Sequence, residues 1–146
     1  MHKFVAQLDH KRIESAIASA ERRTSGELRV VIRRDAIGDP VAAAREEFAR
    51  LEMHRTRERN AVLILVAPTS RKFAIFGDEG VHAKCGQTFW DDVAAAMTGY
   101  FQQGKFTERI IHALERAGTL LAKHFPHRPD DKNELPNEVI ERGPVI

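Results

Sequence analysis

Ala61-Val62-Leu63-Ile64-Leu65-Val66-Ala67 is apolar at every position. A short apolar run rich in β-branched residues, followed by the turn residues Pro68-Thr69-Ser70, reads as a β-strand. Successive side chains of a strand point to opposite faces, so a strand with no polar position is buried on both. It is also far short of the roughly 20 apolar residues that a membrane-spanning helix needs. Whatever else the chain builds must cover both faces of a sheet that holds this strand.

The remaining pattern supplies those layers. Asp9 is an N-cap for a helix reaching about Arg23, with Ile13, Ile17 and Ala20 on one side and Gly26 free to end it. Glu27 to Arg33 reads as a strand. Asp39-Pro40 opens a second helix, with Pro at a first-turn position where its missing N–H costs nothing; Val41, Ala44, Phe48 and Leu51 form its buried stripe. Arg71 to Gly77 returns as a hairpin partner of the apolar strand. Thr88 caps a helix carrying Phe89, Val93, Ala96, Met97 and Tyr100, and Thr107 caps a last helix that Pro126 ends. The predicted order is α-β-α-β-β-α-α. It implies an α/β fold, a three-layer α/β/α sandwich around a mixed sheet of about four strands, with the fourth short strand drawn from the region of Val81 or from the tail. Residues 1–126 form the domain, and residues 127–146, interrupted by Pro129, Pro136 and Pro144, form an extended C-terminal tail.

With 146 residues there is room for one core. The formal charge of +2 is small, and Lys and Arg are interleaved with Asp and Glu, as in Arg45-Glu46-Glu47 and Arg55-Thr56-Arg57-Glu58-Arg59. Such runs read as solvated faces, not as the clustered basic footprint of a nucleic-acid binder. The single cysteine, Cys85, rules out an internal disulfide and a cysteine-based zinc site. The opening Met1 to Gln7 lacks the apolar stretch of a signal peptide. The expectation is a cytoplasmic domain without direct membrane insertion.

Several segments, taken in order, resemble the TPM domain family. They are Thr24-Ser25-Gly26-Glu27 running into Leu28-Arg29-Val30-Val31-Ile32; Ala49-Arg50-Leu51-Glu52-Met53 with Thr56; Arg59-Asn60-Ala61-Val62-Leu63-Ile64; Arg71 through Val81; Phe89-Trp90; Gly104-Lys105-Phe106; and Asn133-Glu134-Leu135-Pro136. That family includes a thylakoid lumen protein, a photosystem II repair factor and a receptor-modulating membrane protein. The resemblance implies an α/β/α sandwich. It also implies three kinds of role: acid phosphatase, proposed for plant members; calcium binding; and assembly or repair factor. Many bacterial members carry a signal peptide and a membrane helix, and neither is evident in this sequence.

The candidate site residues are acidic. Asp78 and Glu79 follow a strand between Gly77 and Gly80, Asp91 and Asp92 open a helix, and Glu27 begins the first strand. Loops at strand ends of open α/β sheets are where ligands bind, and clustered carboxylates in an irregular loop suit calcium better than magnesium. The bland alternative is that Asp91 and Asp92 only complement a helix dipole and Asp78 only forms a turn. Glu27 joins Asp78 only if strand direction allows it. Cys85 lacks an arginine six positions on, where Asp91 stands, and Asp78 is followed two positions on by Gly80, so neither a cysteine nor a paired-aspartate phosphatase motif is complete. Cys85 reads instead as a half-buried thiol. His82, His124 and His127 read as surface residues. Trp90 and Phe101, if off the buried stripe and exposed, would anchor a protein partner; the alternative is local packing against the tail. The expected function is a non-enzymatic binding or assembly domain with a calcium site in the acidic loop. The alternative is a metal-dependent acid phosphatase-like hydrolase.

Overall fold

The structure, a computed structural model, describes residues 9–91, 106–127 and 137–142. Helix α1 spans His10–Glu21, where Asp9 caps the first turn by accepting from the Arg12 amide at 3.1 Å. Strand β1 is Glu27–Arg33. Helix α2 is Pro40–Arg50, capped by Asp39 through the Val41 amide, and a 3₁₀ turn, Met53–Arg55, follows. Strands β2, Ala61–Ala67, and β3, Lys72–Gly77, form the expected antiparallel hairpin. Helix α3 is Glu79–Cys85, residues 87–91 are helical, helix α4 is Phe106–His124, and β4 is Ile140–Arg142.

The sheet is mixed, in the order β3-β2-β1-β4, with β1 parallel to both β2 and β4. Its central strand, β2, is buried at all positions, as an apolar strand between two layers must be. On one face α1 and α4 pack together over Leu28, Val30, Ile32, Val62, Ile64 and Val66. On the other, α2 and Met53 cover Val31, Leu63, Leu65 and Ala74. The close α1–α4 crossing depends on Gly118, where a Cβ would come within 2.8 Å of the Ala20 Cβ.

Of the two regions expected to supply the fourth strand, the tail does so: residues 140–142 pair with Val31 to Arg33, while Val81 is buried in a helix. Several other local expectations are corrected. That helix, α3, was not foreseen: Asp78 is its N-cap, accepting from the Glu79 amide at 2.7 Å. Thr88 lies inside helical residues, past the N-cap position. Thr107 follows the start of α4, and its Oγ1 accepts from the Asp9 amide at 3.1 Å, joining the starts of the two packed helices. Trp90 is 1% exposed and packs edge-on against Phe89, so it is core and not a partner anchor; Phe101 lies outside the described residues. Glu47, placed in a solvated run, is fully buried.

Candidate functional site

Strand direction decides which residues meet. Because β3 runs against β1 and β2, the end of β3 lies at the same sheet end as the start of β1. Glu27 is opposite Ala61, and the Asp78 amide donates to the Ala61 carbonyl at 2.9 Å. Glu27, Ala61 and Asp78 thus form one row across three strands, with Glu27 and Asp78 about 10 Å apart at the backbone. Both acids are buried.

Three loops converge on this row. Ser25 donates to Glu58 Oε2 at 2.6 Å, and Asn60 Nδ2 reaches Ser25 Oγ at 3.2 Å and Glu58 Oε2 at 3.3 Å. The Gly80 amide donates to the Arg59 carbonyl at 2.9 Å. Gly80 allows that approach, since a Cβ there would meet the Glu58 and Arg59 carbonyl oxygens at 2.5 and 2.6 Å. Arg59 itself sits at φ 52, a left-handed conformation that non-glycine residues adopt only when neighbours hold them there. At the sequence level only the glycines flanking Asp78-Glu79 hinted at this close packing.

The electrostatics are dominated by Arg59. Its Nε and Nη2 grip both oxygens of Asp78 at 2.8 and 2.9 Å, and Nη1 reaches the exposed Glu79 at 3.2 Å. Paired planar forks of this kind are the strongest form of arginine–carboxylate contact. The contact raises the pKa of Arg59, chiefly through its hydrogen bond to Asp78. Nearby, Glu21 ends α1 and accepts from the Leu28 amide at 2.9 Å. Burial, opposed by that hydrogen bond and helped by the Glu27 charge, pushes the Glu21 carboxyl up to about 8.

Asp91 has a different partner. Gln87 Nε2 donates both to Asp91 Oδ1 at 2.9 Å and to the Ile75 carbonyl at 3.1 Å. That anchor lies three residues, about 10 Å, back along β3 from Asp78. Asp92 lies outside the described residues. Among the described residues, no three of His, Cys, Asp and Glu stand close enough to hold a metal ion on their own. One group sequence reasoning missed is Asn60, fully buried, whose Oδ1 has no hydrogen-bond donor among the described residues. Cys85 is half-buried, and burial raises its pKa against the opposing charges of Lys84 and Lys123. A separate open groove of about 380 Å³ runs along α4 between Phe89, His112, Arg116, Leu120 and Lys123.

The TPM domain model matches residues 2–120. The chain belongs to the TPM domain family. Among solved structures it is similar to the BA42 protein of the psychrophilic bacterium Bizionia argentinensis, with 37% identity, 93% of this chain and 96% of that one covered, and a TM-score of 0.83. An N-terminal domain from P. gingivalis shares the fold at 12% identity and TM-score 0.66, covering 88% of this chain and 93% of that one. An N-terminal domain from Corynebacterium glutamicum does so at 14% and 0.59, with coverages of 97% and 85%. No curated protein matches the chain. Among the described residues of this TPM domain, no helix is long and apolar enough to cross a membrane.

Proposed function

We propose that this TPM domain is a non-enzymatic binding or assembly domain that takes a divalent cation, calcium in preference to magnesium, at the loop end built by Ser25, Glu27, Glu58, Asn60 and Asp78. The observation that carries the reading is the Asn60 Oδ1 atom, buried with no donor among the described residues, on a side chain whose Nδ2 reaches Glu58. A buried acceptor without a donor is costly, and an amide oxygen beside carboxylates is a donor set that calcium accepts in irregular geometry. In that reading Arg59 stands in for the cation: its guanidinium lies on Asp78 and is displaced, or shares the carboxylate, when calcium enters. Magnesium, which demands near-octahedral geometry and keeps its waters, suits this loop less well.

Thermal melts in calcium, magnesium and chelator test the reading. The wild type should gain several degrees in calcium and less in magnesium, and Asp78→Asn should lose most of the gain. No calcium-dependent shift in the wild type would refute the cation site. A phosphate-ester assay tests the non-enzymatic part: metal-dependent release of phosphate that disappears in Asp78→Asn would favour the hydrolase alternative.

A further inference from the structure

Arg29 lies in the middle of β1 at 7% exposure, and its Nε is buried with no hydrogen-bond partner. Its register partner is Leu63, and it shares a face of β1 with Val31 and Arg33. On that face α2 packs chiefly on β2 and β3 and reaches the β1–β4 half through Val31, Ile140 and the Glu47 contacts to Arg33 and Arg142. A guanidinium does not give up its proton inside a protein, so Arg29 is a buried cation, and among the described residues it makes no hydrogen bond or ion pair. A buried charge without a counter-ion is strongly destabilising.

Its neighbours do not cancel it. Arg33 is fully occupied, with Nε and Nη2 on Asp35 at 2.8 and 2.5 Å and Nη1 on Glu47 at 3.2 Å. Arg142, opposite Arg33 on β4, spends its Nε on Glu47 at 2.6 Å, and its Nη groups have no hydrogen-bond partner among the described residues. Glu47 is shared further with Arg50 at 3.5 Å. Glu138, the remaining carboxylate that acts on Arg29, is exposed and beyond ion-pair distance. Burial pulls the Arg29 pKa below its usual value; Glu138 opposes this and Arg142 adds to it.

We propose that Arg29 and Arg142 form a binding site for a small oxyanion, a carboxylate or phosphate head group that enters from the β1–β4 side of the sheet. Both head groups present two oxygens to a planar fork of donors, which is what a guanidinium recognises. Glu47 and Asp35 offset two of the four arginines Arg29, Arg33, Arg50 and Arg142, and a bound anion offsets part of the remainder. The site is independent of the proposed cation site, so either can fail without the other.

The test uses the whole chain in three buffers of equal ionic strength, containing chloride, inorganic phosphate or acetate. Phosphate or acetate should raise the wild-type Tm by roughly 5–10 °C at about a hundredfold excess over Kd and shift the Arg29 Nε–H resonance saturably. The anion that does so names the source. Arg29→Met should abolish both effects, and in chloride it should melt at or above the wild-type temperature, since it replaces an unpaired buried ion by an apolar side chain of similar length. If neither anion moves the wild-type Tm or the Arg29 resonance, or if Arg29→Met melts well below wild type in chloride, the proposal is overturned.

Discussion

The two ends of β1 solve opposite problems with the same chemistry. At its start Asp78 and Glu79 share one arginine, Arg59, whose fork holds Asp78, and Glu27 and Glu58 lie at the same end of the sheet. At its finish several arginines, Arg33, Arg142 and Arg50, gather around one carboxylate, Glu47, which is fully buried. The surplus sign at each end differs, and so does the hub. The acidic hub is an arginine left 41% exposed and carried on a loop. The basic hub is a carboxylate locked on α2 beneath the residues it binds. A reversible ligand site fits the first arrangement, and a structural clamp fits the second.

The largest effect is expected at the clamp. Glu47→Gln keeps the shape and removes the charge, leaving Arg33 and Arg142 facing one another beside Arg29. Loss of one partner from a buried charge cluster predicts about 3 kcal/mol of destabilisation in urea melts. A loss below about 0.5 kcal/mol would show that the arginines find other partners and that the two ends do not differ as described.

Next comes the loop junction of the acidic end. Gly80→Ala should cost about 1–3 kcal/mol through overpacking against the Glu58 and Arg59 carbonyls, although alanine is the better helix former by about 1 kcal/mol. A neutral or stabilising result would mean that these loops yield easily. The acidic end would then lack the fixed frame a ligand site needs.

The third prediction concerns pH. Burial holds the folded Glu21 carboxyl up at about 8, against an ordinary carboxyl value of 4.5. The native state therefore keeps a proton that the unfolded chain has lost between those values, and stability falls as pH rises through that window. Glu21→Gln mimics the protonated form and can keep the bond from Leu28. It should lose less stability than the wild type between pH 5 and pH 9. Glu21 is partly exposed, so the difference is on the order of 1 kcal/mol. Parallel pH profiles for the two proteins would show that burial does not hold the proton.

How legible this was in the sequence differs between backbone and charge. The strand Ala61–Ala67, the caps Asp9 and Asp39 and the β2–β3 hairpin follow from period, capping and turn chemistry, which are local. The position of β4 is not local: a three-residue strand near the C-terminus pairs with β1 more than a hundred positions away in the chain, and no period marks it. Charge was read least well. Arg45-Glu46-Glu47 looks like a solvated run, yet one helical turn places Glu47 inward and its neighbours outward. Glu27 and Asp78 share a row only because β3 runs antiparallel, which a hairpin reading implied but did not carry through to the site. Arg59 and Asn60 stand in the sequence within a family-like segment that follows a charged stretch, with nothing to mark them as site residues. Their roles come from a left-handed residue and from burial, neither of which composition reveals.

The most direct measurement is a calcium titration of Arg59→Met followed by calorimetry, beside the wild type and the double variant Arg59→Met, Asp78→Asn. If Arg59 holds the place of a cation, its removal frees the Asp78 carboxylate: calcium should bind Arg59→Met at least about tenfold more tightly than wild type, and the double variant should lose that gain. Equal affinity in all three proteins, or no heat in any of them, would contradict the account.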